Sequence, residues 1–366
     1  LQVDDLGRWL AGARGQLDLR GEMSKRRQLA VRGGGSDLKF AGIEIPAADL
    51  SLAYGLSQGQ IYLALTAPAI RQGEYRLEDV QLTLEGSAKQ HQLQLATGGR
   101  IEGQLQIEGQ SDDGVWHGVL QPTELATSAG PWTLAEQVPL QWSVERGALE
   151  IAAHCWQHSQ FTLCTADMLA GRQGDLNLRL QGDVNAFNGF LPPGLKAQGA
   201  LQSRLQLAWD ASGVTTLEGT ARVTELEIER LFGMGERVSI AWDSIDLAAS
   251  REGAALAITA QVVRQGRRVL DVDALLPGTA QQSISGNVTL DTLQLVTFAP
   301  WVTELSTLKG SVSGKLALGG TPAEPRASGE LVLQDGHLVV VGNPTELTAL
   351  NLSLQLDGDS RSEERR

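Results

Sequence analysis

The chain has 366 residues and a formal net charge of −13, with aromatics at 5% and 42 glycines. That charge excludes nucleic acid as a partner and electrostatic docking on an anionic membrane surface, since both need a basic footprint. The length can bury a large core, and no run of about 18 apolar residues is present to cross a bilayer as a helix.

Asp5 reads as the cap of a short helix near 4–11, followed by a strand with Leu17 and Leu19. Period-two apolar alternation then predicts strand after strand: Leu29–Val31, Leu38–Phe40, Ile43–Ile45, Leu50–Leu52, Ile61–Leu65, Val80–Leu84, Leu93–Leu95 and Leu105–Ile107. Lys25-Arg26-Arg27 reads as a hairpin tip. The runs Gly33-Gly34-Gly35 and Gly98-Gly99 lack the Lys-Ser/Thr of a phosphate loop and read as turns. Further strands are expected at Leu140–Val144, Leu149–Ile151, Leu176–Leu180, Leu205–Trp209, Val238–Trp242 and Leu256–Ile258.

Between these, Cys155 and Cys164 flank a predicted hairpin with Ser159-Gln160 at its turn, a register that sets 155 opposite 164. Directly opposite residues of a non-hydrogen-bonded pair lie close enough for a disulfide, which implies an oxidising compartment. The rival reading is a metal site of His154, Cys155, His158 and Cys164. Strand alternation opposes it by pointing both histidines away from the cysteines. Reduced structural cysteines remain a third possibility, and free thiols found by mass spectrometry after non-reducing purification would decide for it.

A helix-then-strands module recurs. Asp183 caps a second helix bearing Val184, Phe187 and Leu191, stopped by Pro192-Pro193-Gly194, and Asp291 caps a third with Leu293 and Val296, stopped by Pro300-Trp301. LKAQGALQSRLQL after the second lies over LKGSVSGKLAL after the third. A Gly319-Gly320-Thr321-Pro322 turn follows, and Asp335-Gly336 reads as another turn, into a strand with Leu338 and Val340. The expected divisions are a first segment 1–182 containing the hairpin 149–165, a second module 183–290, a third 291–358 and a tail 359–366. The chain opens at Leu1 without a signal-peptide pattern and is read as a fragment of something longer.

About two dozen strands and three short helices exceed a sandwich, and no helical layer is available to cover the apolar faces. The expected fold is all-β, a long, twisted, curled and mainly antiparallel sheet forming a hydrophobic groove (β-taco-like). Its expected lining is Leu176, Leu178 and Leu180, then Leu201, Leu205, Leu207 and Trp209, then Val312, Leu316, Leu318, Leu331 and Leu333. Trp142, Trp156 and Trp242 share the apolar register with Trp209. Catalytic chemistry is thin. None of the five histidines sits in a metalloprotease or hydrolase motif, and Asp4-Asp5, Asp112-Asp113 and Glu363-Glu364 read as solvated charge. No cofactor or metal is called for.

The Asp-capped helix and strand module, the Gly-Thr-Pro turn, HCWQHSQFTLC (His154 to Cys164) and DVNAFNGFLPPGLKAQGAL resemble the AsmA-like family of bridge-type lipid transporters. The resemblance implies a β-groove whose apolar walls hold phospholipid acyl chains and carry them across the periplasm of a Gram-negative bacterium. It further implies an inner-membrane anchor preceding this stretch and an outer-membrane assembly barrel as the partner at the far end. The readings set against it are a secreted β-helical adhesin or scaffold, built of parallel coils, and a carbohydrate-active enzyme, which wants paired carboxylates and a row of aromatics.

Overall fold

The computed structural model describes residues 2–8, 12–25, 27–40, 42–57, 59–73, 75–87, 89–112, 114–231, 237–279, 281–298, 301–302, 305–342 and 346–357. The fold is all-β, with 26 strands among the described residues joined by antiparallel pairing. Among the described residues the strand pairs whose register is defined are antiparallel, so the parallel coils of a β-helix are not its architecture. Two compact units divide the chain at Leu176 and Asn177.

The first unit opens as a meander of β1 (Gln2–Val3), β2 (Arg14–Met23), β3 (Gln28–Phe40), β4 (Ile43–Gly55), β5 (Gln60–Gln72), β6 (Tyr75–Ser87), β7 (Gln90–Gly98) and β8 (Ile101–Asp112). Each pairs with the next. The strands then shorten: β9 (Val115–Leu120), β10 (Thr123–Thr127), β11 (Gly130–Leu134), β12 (Val138–Ser143), β13 (Ala148–Ile151), β14 (His154–His158), β15 (Phe161–Thr165) and β16 (Met168–Gly171), before the longer β17 (Gly174–Asp183), in which the division between the units falls. Here the sheet forks. One half of β8, Ile107–Asp112, pairs with β9, and the other, Ile101–Gly103, pairs with β10. One ribbon continues as β9–β12–β13–β16 and the other as β10–β11–β14–β15.

The second unit is a plain meander of longer strands: β18 (Leu195–Asp210), β19 (Gly213–Leu231), β20 (Arg237–Glu252), β21 (Ala255–Arg264), β22 (Arg267–Leu276), β23 (Ser285–Gln294), β24 (Leu305–Gly320), β25 (Pro325–Val340) and β26 (Glu346–Asp357). A 3₁₀ helix, Val184–Phe190, precedes β18. Its N-cap is Asp183, whose carboxylate accepts from Asn185 N at 2.8 Å and Gly199 N at 3.3 Å. Asp5 does the same for a shorter 3₁₀ turn, Leu6–Arg8, accepting from Gly7 N at 2.9 Å. Residues 9–11 of that predicted helix, like Arg26, Asp113, Pro300 and the tail 359–366, lie outside the described residues. Asp291 is not the cap expected: it stays inside β23, and the next described 3₁₀ helix, Leu295–Phe298, starts later. Leu293 is still paired, with Val312, so strand pairing overrides the local helix signal.

Several expected turns are not turns. Asp335-Gly336 lies within β25, and Leu29–Val31 with Leu38–Phe40 form the single strand β3. The cause is one device used repeatedly. Asp37, Asp79, Glu225, Thr292, Asp335 and Ala349 are strand residues held at φ between 49° and 53°. Register shifts mark bulges beside most of them. A bulge inserts an extra residue, bends the strand and flips the phase of the alternation. Hence Leu331 and Leu333 are odd-numbered before Asp335, while Leu338 and Val340 are even-numbered after it. Asp reaches the left-handed region at lower cost than a β-branched side chain, which stands there in this set only at Thr292. Asp335→Val is expected to cost about 1–3 kcal/mol and Asp335→Gly to be near neutral, read from chemical-denaturation midpoints.

Gly33-Gly34-Gly35 also lie mid-strand, opposite Leu19, Asp18 and Leu17 of β2. The reason is close approach: a Cβ at Gly33 would sit 1.9 Å from the Asp18 carbonyl oxygen. Val144 falls in the turn after β12 and not in the strand.

Candidate functional site: apolar faces and a packed fork

Antiparallel register fixes which side chains share a face, because directly paired residues point the same way. In the second unit one row runs across nine strands as Leu201, Val223, Ile245, Val262, Leu270, Leu290, Gly314, Leu331 and Leu354. The row two residues along contains Val288, Leu316 and Gly329, and the next contains Leu205, Gly219, Gly286, Leu318 and Ala327. Leu207 pairs with Leu217, Trp209 with Val214, and Leu333 with both Val312 and Leu352. Leu176, Leu178 and Leu180 alternate along β17, all half-buried.

The first unit repeats the pattern. Val31, Leu52, Leu63, Leu84, Leu93 and Ile107 form one row, and Leu50, Leu65, Leu82, Leu95 and Leu105 the next. All of these are half-buried, and Leu352 and Leu354 at the edge of the second unit are 59% and 55% exposed. Full burial of a leucine contributes about 1.5–3 kcal/mol, so each half-covered one leaves on the order of 1 kcal/mol unrealised in water. Repeated along each row, this leaves apolar area in contact with water within each unit, although Leu65 and Leu95 also pack against buried Ala48, Ala67 and Val80.

The other face of the same strands is polar. Gln202 pairs with Arg222 and Arg222 with Asp246, Arg204 pairs with Thr220, and Gln206 pairs with Glu218. Arg222 forms an ion pair with Asp246, and its guanidinium hydrogen bond holds the Asp246 carboxyl below the ordinary aspartate range. Ser239 and then Gln198 do the same for Glu227. Among the described residues no group of three or more His, Cys, Asp or Glu is arranged to hold a metal ion.

Among the described residues the fork holds the most deeply buried large side chains. Leu134 and Val138 are 0% exposed, packed with Leu140, Ile107, Trp116, Leu120, Leu149, Ile151 and Trp156. Cys155 and Cys164 are paired across β14 and β15 and joined by a disulfide, with Cα atoms 4.0 Å apart. The neighbouring histidines are otherwise engaged. His158 stacks between Trp132 and Phe161, at centroid distances of 5.1 and 5.9 Å, and His154 Nδ1 lies 2.9 Å from the Ala152 carbonyl. Sequence reasoning missed this fork, because strands of four to six residues carry too little alternation to reveal which neighbour they choose. It also left out Val223, Ile245, Val262, Leu270 and Leu290, whose shared face becomes visible through pairing.

A family model described as "TamB, N-terminal domain" matches residues 1–333. The chain belongs to the TamB family. Among curated proteins it is similar to the translocation and assembly module subunit TamB of Haemophilus influenzae, 23% identical over 299 residues. That alignment covers 79% of this chain and 23% of the relative, so the chain spans about a quarter of the TamB protein it matches. No solved structure matches it. Among the described residues, no helix of this TamB-family chain is long and apolar enough to cross a membrane.

Proposed function

We propose that this stretch is a periplasmic segment of a bridge-like transporter that carries phospholipids between the inner and outer membranes along its apolar faces. In this reading it serves outer-membrane biogenesis as part of a translocation and assembly module. The outer-membrane barrel TamA is its partner, the inner-membrane anchor belongs to the longer protein, and no reaction is catalysed. The half-buried apolar rows, the longest crossing nine strands, support this reading. Acyl chains suit such a wall because dispersion and water exclusion act without direction, so no single residue has to serve as a ligand. The resemblance to the AsmA-like family selects phospholipid among greasy cargoes, and the disulfide favours an oxidising compartment such as the periplasm. Organic extraction of the chain purified from a Gram-negative envelope, read by mass spectrometry, is expected to release phospholipid in molar amounts. A lipid-free preparation that is folded and monomeric would contradict the proposal.

A further inference from the structure

We infer that Trp116 plugs the apolar track of the first unit where the sheet forks, so that acyl chains held on β3–β8 stop at β8 unless its indole moves. This rests on the lipid-carrying reading above and adds a gate to it. The pairing sets His91, Gly109, Gly118 and Leu140 side by side in one row across β7, β8, β9 and β12. The two glycines form a floor, and the indole lies on it. A Cβ on Gly118 would come within 2.2 Å of Trp116 Cη2, and one on Gly109 within 2.7 Å of its Nε1. The far edge is hooked in place, because Trp116 Nε1 donates to His91 Nε2 at 2.6 Å. His91 Nδ1 lies 2.9 Å from the Ser87 carbonyl oxygen, which makes Nδ1 the protonated nitrogen and leaves Nε2 free to accept.

Behind the indole the space is already filled. The row through Leu93 and Ile107 runs on to Leu120 and Val138, and Val138 is fully buried against Leu134. Trp116 is itself part of this packing, so with the indole seated the interior offers no room to an acyl chain. Two glycines kept flat beneath a tryptophan that bonds to a neighbouring strand make a seat built for that ring.

A phosphatidylethanolamine carrying a diazirine on one acyl chain tests this, with labelled residues read by peptide mass mapping of the full chain. In the native protein, label is expected on β5–β7 and on the second unit and not on residues 115–165. Trp116→Ala removes the plug, and Gly118→Ala evicts it with a Cβ. In both variants labelling of 115–165 is expected to rise on the order of tenfold. Leu134→Ala loosens the same core but leaves the indole on its floor, and is expected to leave the fork unlabelled. Label on 115–165 of the native protein, or a fork still dark in both Trp116→Ala and Gly118→Ala, overturns the gate. So does equal labelling in Leu134→Ala. A chain labelled nowhere instead overturns the lipid-carrying reading on which the gate rests.

Discussion

Leu318→Arg or Leu207→Arg is expected to stop phospholipid transfer while the protein accumulates to normal levels. Leu318 shares its row with Gly286 and Ala327, and Leu207 faces Leu217, so a guanidinium at either position would stand among acyl chains with no carboxylate paired to it. An unpaired charge in such surroundings costs several kcal/mol, and even about 3 kcal/mol reduces occupancy roughly a hundredfold. The strand itself survives, because both leucines are half-buried on an open face and a long side chain can bend its head toward water when no lipid is present. Gln206→Arg, on the polar face opposite Glu218, is expected to leave transfer unchanged. Appearance of pulse-labelled phospholipid in the outer membrane, with immunoblots for abundance, measures both halves. Loss of the protein itself in Leu318→Arg would show that this leucine is core.

The largest effect on stability is expected in the fork. Leu134 is fully buried, and truncation to alanine removes its transfer energy and leaves a cavity, a loss of about 2–5 kcal/mol. Leu354→Ala, chemically the same change at a side chain 55% exposed, is expected to shift stability by less than about 0.5 kcal/mol. Denaturant titration followed by tryptophan fluorescence compares the two directly. Two leucines so different in cost would distinguish the packed fork from the open faces by energy as well as by geometry.

Leu50, Leu52, Leu63, Leu65, Leu82 and Leu84 announce their strands and their common face, because alternation is strong and each strand pairs with its neighbour in sequence. The opposition of Cys155 and Cys164 follows from hairpin counting for the same reason. What misleads is the bulge. Asp335 looks like a turn because the apolar phase changes there and Gly follows, yet the same strand continues to Leu338, which pairs with Leu308. Local sequence carries the phase flip but not its cause, since a bulge and a turn both want a residue tolerant of the left-handed region. Asp291 fails for a different reason, as cross-strand pairing of Leu293 outweighs a single capping signal. The seat of Trp116 could not be read at all, because it joins residues of β7, β8 and β9 through a ring lying along the face.

In the proposed function the apolar face of these strands is a surface for lipid and not the inner wall of an ordinary core. Neighbouring residues of β18 test it most directly, since Leu207 belongs to the apolar face and Gln206 to the polar one. With a photo-crosslinking amino acid placed at each position in living cells, phospholipid is expected to be captured at 207 and not at 206. Equal capture at the two positions, or none at 207, would contradict the account.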